Sequence, residues 1–395
     1  MAKLLVTIAV PDGTGAPRMG HFFARYLLRA GHDVLVGCGG REHGPAEDRF
    51  IEELRREGLA VHFLPGLASP GPAACRETAE LIREQGVDAV IGFQLRDQLA
   101  AMKAARRAGV PCVISAQTLH RFWGPGPVPW LKEQVFRRAL RKLADLVICS
   151  SPAVQEEMQT RFAVPAGRTC FLPNAIDVAA ATPVPVGQRQ AVRQELGIAG
   201  DEQMLINVGR INLQKGQDIL LEAFARANAP RLKLVLVGDV TECSSSDTMA
   251  RYHRGLREFV AERGLSDQVL FAGWRDDVPG LLQSADYYVH AARWEGWPLT
   301  VMEAMAARLP VIFTDCSGWP DDFQQDVHGR IVPTGDPDAL ADAIRQFAAM
   351  TPDQRQAMGE AGRRFAEERY DINVVGRRFA ELVESVLEPQ PAAAG

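Results

Sequence analysis

The chain has 395 residues, 47% of them apolar and 24% charged, with a formal charge of −5. That composition excludes a disordered, collagen-like or coiled-coil protein, and the acidic balance argues against nucleic acid as a partner. At about 150 residues per domain, the length fits two domains with sizeable cores. In chain order, Leu4–Val10, Asp33–Gly37, Val61–Leu64, Ala89–Gly92, Cys112–Ser115 and Leu146–Cys149 read as short buried strands. Between them lie the helical patterns Phe22–Ala30, Glu47–Glu57, Ala73–Gln85 and Leu99–Ala108. Glycines close these helices at Gly31, Gly58, Gly86 and Gly109, where a left-handed residue is needed. The stretch Ala179–Gly187, rich in Ala, Pro and Val, reads as a linker. A second alternation follows, with strands at Met204–Val208, Lys233–Val237, Val269–Phe271, Asp286–His290 and Pro310–Thr314. Its helices fall at Gln217–Ala227, Met249–Arg263, Leu299–Ala307 and Pro337–Ala349.

Two rounds of strand–helix alternation predict an α/β protein with two doubly wound parallel sheets. The expected domains are 1–185 and 186–370, followed at 371–395 by a helix that crosses back to the first domain and a frayed tail. Ligands of such sheets sit beyond the carboxyl ends of the strands, so a cleft between the domains is the expected site. The 7 cysteines include no CxxC pair and fit a reducing compartment. No apolar run approaches the ~20 residues needed to span a bilayer, and the apolar start runs straight into the turn Pro11-Asp-Gly-Thr-Gly rather than a cleavage site. A cytoplasmic location is expected.

The most informative segment is Arg293-Trp-Glu-Gly-Trp-Pro-Leu-Thr-Val-Met-Glu303. It follows a strand and runs into a helix, with Pro298 suited to the first helical position, where its missing N–H costs nothing. The helix start offers N–H groups and a positive dipole end to an anion. Glu295 and Glu303 look misplaced beside a phosphate, but they suit sugar hydroxyls, which donate strong hydrogen bonds to carboxylates. A phosphate flanked by polyols describes a sugar nucleotide. In Gly209-Arg210-Ile-Asn-Leu-Gln-Lys215-Gly216, two cations leave the end of another strand and suit a diphosphate.

These segments resemble the nucleotide-binding domain of the family 4 retaining glycosyltransferases, whose fold is GT-B. Glu295 and Glu303 match that family's pair of glutamates separated by seven residues, and Arg210 with Lys215 matches its phosphate pair. Phe271-Ala-Gly-Trp-Arg275, Asp315-Cys-Ser-Gly-Trp-Pro, His328-Gly-Arg-Ile-Val-Pro-Thr-Gly-Asp336 and Leu172-Pro-Asn-Ala-Ile-Asp177 follow family spacing as well. The resemblance implies transfer of a sugar, with retention, from a UDP-hexose or UDP-N-acetylhexosamine to a hydroxyl of a glycan, lipid-linked saccharide or small molecule. Arg210, Lys215 and Glu295 carry catalysis on this reading. Arg210 and Lys215 neutralise the diphosphate, Glu295 holds the sugar, and Glu303 holds the ribose. The backbone of Gly209, Gly296, Trp297, Pro298, Leu299 and Thr300 approaches phosphate and sugar. The chain near Arg275 lies beside the base, and Asp239 is a candidate for the nucleotide pocket. With no Asp-x-Asp in a suitable loop, no metal and no cofactor are expected, because the cations and the helix dipole take up the leaving-group charge.

The first domain departs from the family pattern in two places. Thr14-Gly15 stands where the family often carries two glycines, with Arg18 in reach of a phosphate. Gln117 occupies the position of a family histidine, and His120 follows three residues later, so either could face the sugar. A sugar-nucleotide epimerase, a phosphorylase and a non-catalytic nucleotide-sugar binder share the fold and remain alternatives. Charge is also uneven: residues 1–190 carry 23 Lys and Arg against 18 Asp and Glu, and residues 191–395 carry 21 against 31. The stretch from His120 to Asp145 is basic and aromatic. It predicts either a helix packed on the sheet or a peripheral contact of the first domain with an anionic membrane.

Overall fold

The computed structural model describes residues 1–13, 15–40, 44–68, 71–119, 127–239 and 247–388. The chain divides into two compact units, one of residues 1–175 with the stretch from Asp371 onward, the other Ile176–Tyr370. The first unit runs β1 (Lys3–Ile8), α1 (Gly15–Arg29), β2 (Asp33–Cys38), α2 (Pro45–Arg56), β3 (Ala60–Phe63), α3 (Pro72–Gln85), β4 (Ala89–Gly92), α4 (Leu95–Ala108), β5 (Cys112–Ala116), α5 (Pro127–Leu143), β6 (Leu146–Cys149), α6 (Pro152–Thr160) and β7 (Thr169–Phe171). Its sheet has the order β3-β2-β1-β4-β5-β6-β7, and its strands pair in parallel. Leu4, Leu5, Val6 and Ile8 are all fully buried, because helices cover both faces of a parallel sheet. That is why this strand reads as a continuous apolar run rather than an alternation.

The second unit runs α7 (Val186–Glu195), β8 (Gln203–Val208), α8 (Gln217–Ala227), β9 (Leu232–Val237), α9 (Asp247–Glu262), β10 (Val269–Gly273), α10 (Val278–Ser284), β11 (Tyr287–His290), α11 (Leu299–Ala306), β12 (Val311–Thr314), β13 (Arg330–Val332), α12 (Pro337–Ala348) and α13 (Pro352–Tyr370). Its parallel sheet has the order β10-β9-β8-β11-β12-β13. Each sheet therefore has one topological switch point, between β1 and β4 and between β8 and β11.

The boundary after residue 185 is corrected to Ala175/Ile176. Backbone bonding explains the shift. Ile176 N donates to Tyr370 O at 2.8 Å, and the Arg363 guanidinium donates to the carbonyls of Val178, Ala181 and Ala306 at 3.4, 3.0 and 2.6 Å. The supposed linker is thus strapped to α13, and its last two residues already belong to α7. The final helix, α14 (Ile372–Leu387), packs on α1 in the first unit. Phe379 stacks on Phe23 with ring centroids 4.0 Å apart, and a Cβ on Gly376 would strike the Tyr26 ring.

Candidate donor site

The carboxyl ends of β8 and β11 lie side by side, and their connections leave in opposite directions, the arrangement that opens a crevice in such sheets. Both motif loops emerge there. After β8, Asn212 caps the short turn Leu213–Lys215, its Oδ1 accepting from Lys215 N at 3.0 Å. Gly216 then takes φ +67°, and a Cβ on it would collide with the carbonyl of Ala291, the first residue after β11. Only glycine allows the two loops to meet backbone to backbone. Side chains complete the join. Gln214 Nε2 donates to Trp294 O at 3.1 Å and to Glu295 Oε2 at 3.4 Å. Arg293 forms a two-pronged ion pair with Asp218, at 2.8 and 2.6 Å, and Tyr252 OH donates to the same carboxylate at 2.8 Å.

The two loops bring opposite charges together. Lys215 Nζ pairs with Glu295 Oε1, and His290 Nε2 lies 3.3 Å from the same oxygen. Glu295 is 7% exposed and His290 1%. Burial is the largest single influence and works to raise the Glu295 carboxyl, but the Lys215 ammonium and the His290 imidazole together outweigh it and hold the pKa at about 2. Burial pushes the His290 imidazole down, the Glu295 carboxylate beside Nε2 opposes that shift, and Nδ1 has no hydrogen-bond partner among the described residues. Glu303 stands on α11, half-buried, one turn beyond Thr300. Tyr288 OH donates to Thr300 Oγ1 at 2.6 Å, and both glutamates push its phenol further above its usual range, where burial has already raised it. Arg210 is exposed at the end of β8, and no protein group engages its side chain among the described residues. The site therefore presents one free guanidinium, one ammonium held by a carboxylate and the amino end of α11.

A family model described as glycosyl transferases group 1 matches residues 188–365, and one described as glycosyltransferase family 4 matches residues 13–180. A GDP-mannose-dependent alpha-(1-6)-phosphatidylinositol monomannoside mannosyltransferase of Mycolicibacterium smegmatis is 27% identical over 87% of this chain and 89% of its own length. A D-inositol 3-phosphate glycosyltransferase of Xylanimonas cellulosilytica is 27% identical over 85% of this chain and 81% of its own. Anabaena HepE, solved in complex with UDP, superposes with a TM-score of 0.81 at 22% identity, over 98% of this chain and 100% of that one. The chain belongs to the family 4 glycosyltransferases. Its two parallel-sheet units have the GT-B architecture, and its activity is glycosyl transfer.

Within this glycosyltransferase, several residues singled out by the sequence take positions that limit what their side chains can do. Trp297 is 4% exposed. Its ring packs 4.9 Å from Trp319 and 5.6 Å from Tyr370, and its Nε1 donates to Met302 Sδ at 2.9 Å, so only its backbone is left for a ligand. Gly296 and Pro298 are buried, Leu299 half-buried. Pro298 is corrected from the first helical position to the cap, since α11 begins at Leu299 and Val301 N bonds Pro298 O at 3.1 Å. The Arg275 guanidinium is bound by Asp277 at 2.8 and 2.7 Å and by Glu195 on α7. Asp239 is exposed after β9, and its carbonyl accepts from Ile211 N at 3.2 Å, beside the Arg210 turn. A Cβ on Gly209 would lie 3.6 Å from the Lys215 stem, which runs over this glycine.

In the first unit Gly15 opens α1 beyond β1, with φ +45° and open space where a Cβ would be. Arg18 leans on the Phe22 ring, 5.4 Å from its centroid. Gln117 Nε2 donates to Ser115 Oγ at 2.7 Å, while its buried Oε1 has no hydrogen-bond partner among the described residues. His120 lies outside the described residues. At this sheet's switch point the fully buried Asp97 accepts from Thr7 Oγ1 and Ala9 N, both at 3.1 Å, and fixes the end of β1. Among the described residues one cluster has metal-ligand spacing: His21, Glu53 and Glu57. Arg25 and His21 already occupy both oxygens of Glu57 there, at 3.2 and 2.7 Å.

Sequence reasoning missed Gln214, His290, Tyr288 and the Asp218–Arg293 pair. Asn212 was within reach, because an Asn three residues before a turn's last N–H is a capping signature. The others touch only through the fold and leave no local trace.

Proposed function

We propose that this glycosyltransferase moves a hexosyl or N-acetylhexosaminyl group from a nucleoside diphosphate donor to an acceptor hydroxyl, with retention and without a metal ion. One observation carries the reading: Lys215 and Glu295 face each other at the switch point beside the exposed Arg210. Ammonium and carboxylate satisfy one another in this arrangement. A donor gives each a better partner, the diphosphate for Lys215 and the sugar hydroxyls for Glu295. Arg210 closes on the diphosphate, the first N–H groups of α11 point at the same charge, and Glu303 receives the ribose hydroxyls. As the anomeric C–O bond breaks, negative charge grows on the leaving diphosphate, where fixed cations do the most for the rate. The acceptor oxygen bonds on the face the leaving group vacates, and its proton passes to a donor phosphate oxygen. No protein base is needed, so a glutamine at position 117 is compatible with turnover.

UDP is the donor nucleotide on this reading, supported by the family resemblance. GDP is the second reading, favoured by the GDP-mannose dependence named for the mycobacterial relative. The acceptor is a glycan, a lipid-linked saccharide or a small molecule. Isothermal titration with UDP, GDP and ADP in EDTA decides the base and the metal together. One nucleotide is expected to bind in the wild type and to be lost in Arg210→Ala. Binding restored only by a divalent cation overturns the metal-free mechanism. NMR of donor incubated alone separates transfer from epimerisation.

A further inference from the structure

The outward face of α5 gathers cations with no acid between them. Arg137, Arg138, Arg141 and Lys142 on this helix, with Arg168 beside β7, line a pocket of about 590 Å³ that has no acidic residue in its wall. Elsewhere arginines such as Arg161, Arg193, Arg275 and Arg293 pair with carboxylates. Here none of the five cations has an acidic partner among the described residues. Glu133 on α5 and Glu157 on α6 are taken by Arg161 at 2.7–3.1 Å. Arg168 instead donates to the carbonyls of Arg141 and Ala144 at 2.7 and 2.9 Å. The carboxyl-terminal dipole of α5 accounts for about half a charge of this excess, which leaves most of it uncompensated. Arg137 Nε is buried without a hydrogen-bond partner.

The same helix turns apolar groups outward at its other end. Phe136, Ala139 and Leu140 face the sheet, but Val128, Trp130, Leu131 and Val135 are 62%, 62%, 58% and 42% exposed. The 3.6-residue period puts Trp130 and Leu131 on the side that carries Arg138, Arg141 and Lys142 two to three turns later. Trp130 and Leu131 thus place exposed apolar surface beside the unpaired cations. A bilayer surface matches both, since phosphates meet the guanidinium and ammonium groups while Trp and Leu enter the headgroup boundary.

We infer that α5 docks this enzyme on an anionic membrane surface, with the five-cation pocket receiving lipid phosphates and Trp130 with Leu131 inserting beside them. The inference stands apart from the donor reading, because it concerns a different unit and is read without turnover. The test is co-sedimentation with phosphatidylcholine vesicles and with vesicles about one-third phosphatidylglycerol. The wild type is expected to prefer the anionic vesicles, less so as salt rises. The triple variant Arg138→Gln, Arg141→Gln, Lys142→Gln should lose about fivefold in partitioning per cation, roughly a hundredfold in all. Trp130→Ser with Leu131→Ser should weaken binding at every salt concentration. These positions are exposed, so the variants should keep the wild-type circular dichroism, and nucleotide titration of each one reports separately on the donor site. Equal binding to both vesicles, no binding to either, or a triple variant that binds as well as wild type overturns the docking. Saturable binding of inorganic phosphate at α5 without vesicle preference also overturns it and leaves a soluble-anion pocket instead.

Discussion

The Lys215–Glu295 pair is where charge, burial and chemistry meet. Both groups are largely withdrawn from water, with side-chain exposures of 17% and 9%, so removing one partner leaves the other unpaired at a cost of about 3 kcal/mol. Lys215→Met should therefore lower stability in urea by about that amount. It should also slow transfer by roughly a hundredfold, because one cation at the leaving group is lost. Lys215→Arg should recover most of the stability but less of the rate, since a planar fork does not replace a point charge. The pH dependence follows from the sign of the Glu295 shift. Its carboxyl is held near 2 against an ordinary 4.5, so its stabilisation is complete above 4.5 and disappears as pH falls toward 2. His290 acts in the same direction. Its pKa is depressed by burial below 6.5, so below 6.5 the unfolded chain takes up a proton that the folded site resists. Asp97 opposes both, because burial raises its carboxyl well above 3.8 and stability falls as pH climbs through that range. The Glu295 contribution is accordingly read from the wild type minus Glu295→Gln. That difference should shrink between pH 4.5 and 2, and a difference flat with pH would refute the assignment.

At the scale of elements, the donor loops depend on backbone fit more than on side-chain energy. Asn212→Ala removes one capping bond and should cost about 1 kcal/mol, measured as a lower thermal midpoint with donor affinity reduced only slightly. Gly216→Ala is different in kind. It demands a left-handed alanine and drives its methyl into the Ala291 carbonyl, so the two loops must separate. Nucleotide binding should be lost even if the fold survives, which titration and circular dichroism together would show. The helices that the sequence hid have similar explanations. α13 carries Gly359 and Gly362, which weigh against a helix by propensity. Yet a Cβ on Gly359 would collide with the Arg308 carbonyl, so the glycine serves close approach. Only the first two residues of α7 fall in the stretch read as linker, and the rest of the helix has no local signal because its packing partner, α10, is distant in sequence. Its Arg193 reaches Asp286 at 2.9 Å, a contact that no window of neighbouring residues contains.

For the whole molecule, α14 adds the last large apolar surface to the first unit. Phe379 is fully buried between Phe23 and Phe93, so Phe379→Ala should destabilise that unit by about 3–5 kcal/mol. A scanning-calorimetry trace in which the unit holding β1–β7 melts earlier, with the other unit unchanged, would confirm that α14 is part of its core. The amino-acid sequence by itself determined the two rounds of strand and helix, because continuous apolar runs and helix-closing glycines are local signals of burial and turn. It also singled out the candidate donor motif, because Arg210, Lys215, Glu295 and Glu303 sit in short segments with fixed strand-to-helix context. Only the tertiary structure decided that Lys215 rests on Glu295, that Arg275 is held by Glu195, that residues 176–181 belong with α13 and that α5 leaves Trp130 exposed. Each of these depends on residues far apart in the chain coming within a few ångströms of one another, or on which face of a helix finds a neighbour. Pairing and burial of that kind are properties of the packed fold and are not written in any local stretch.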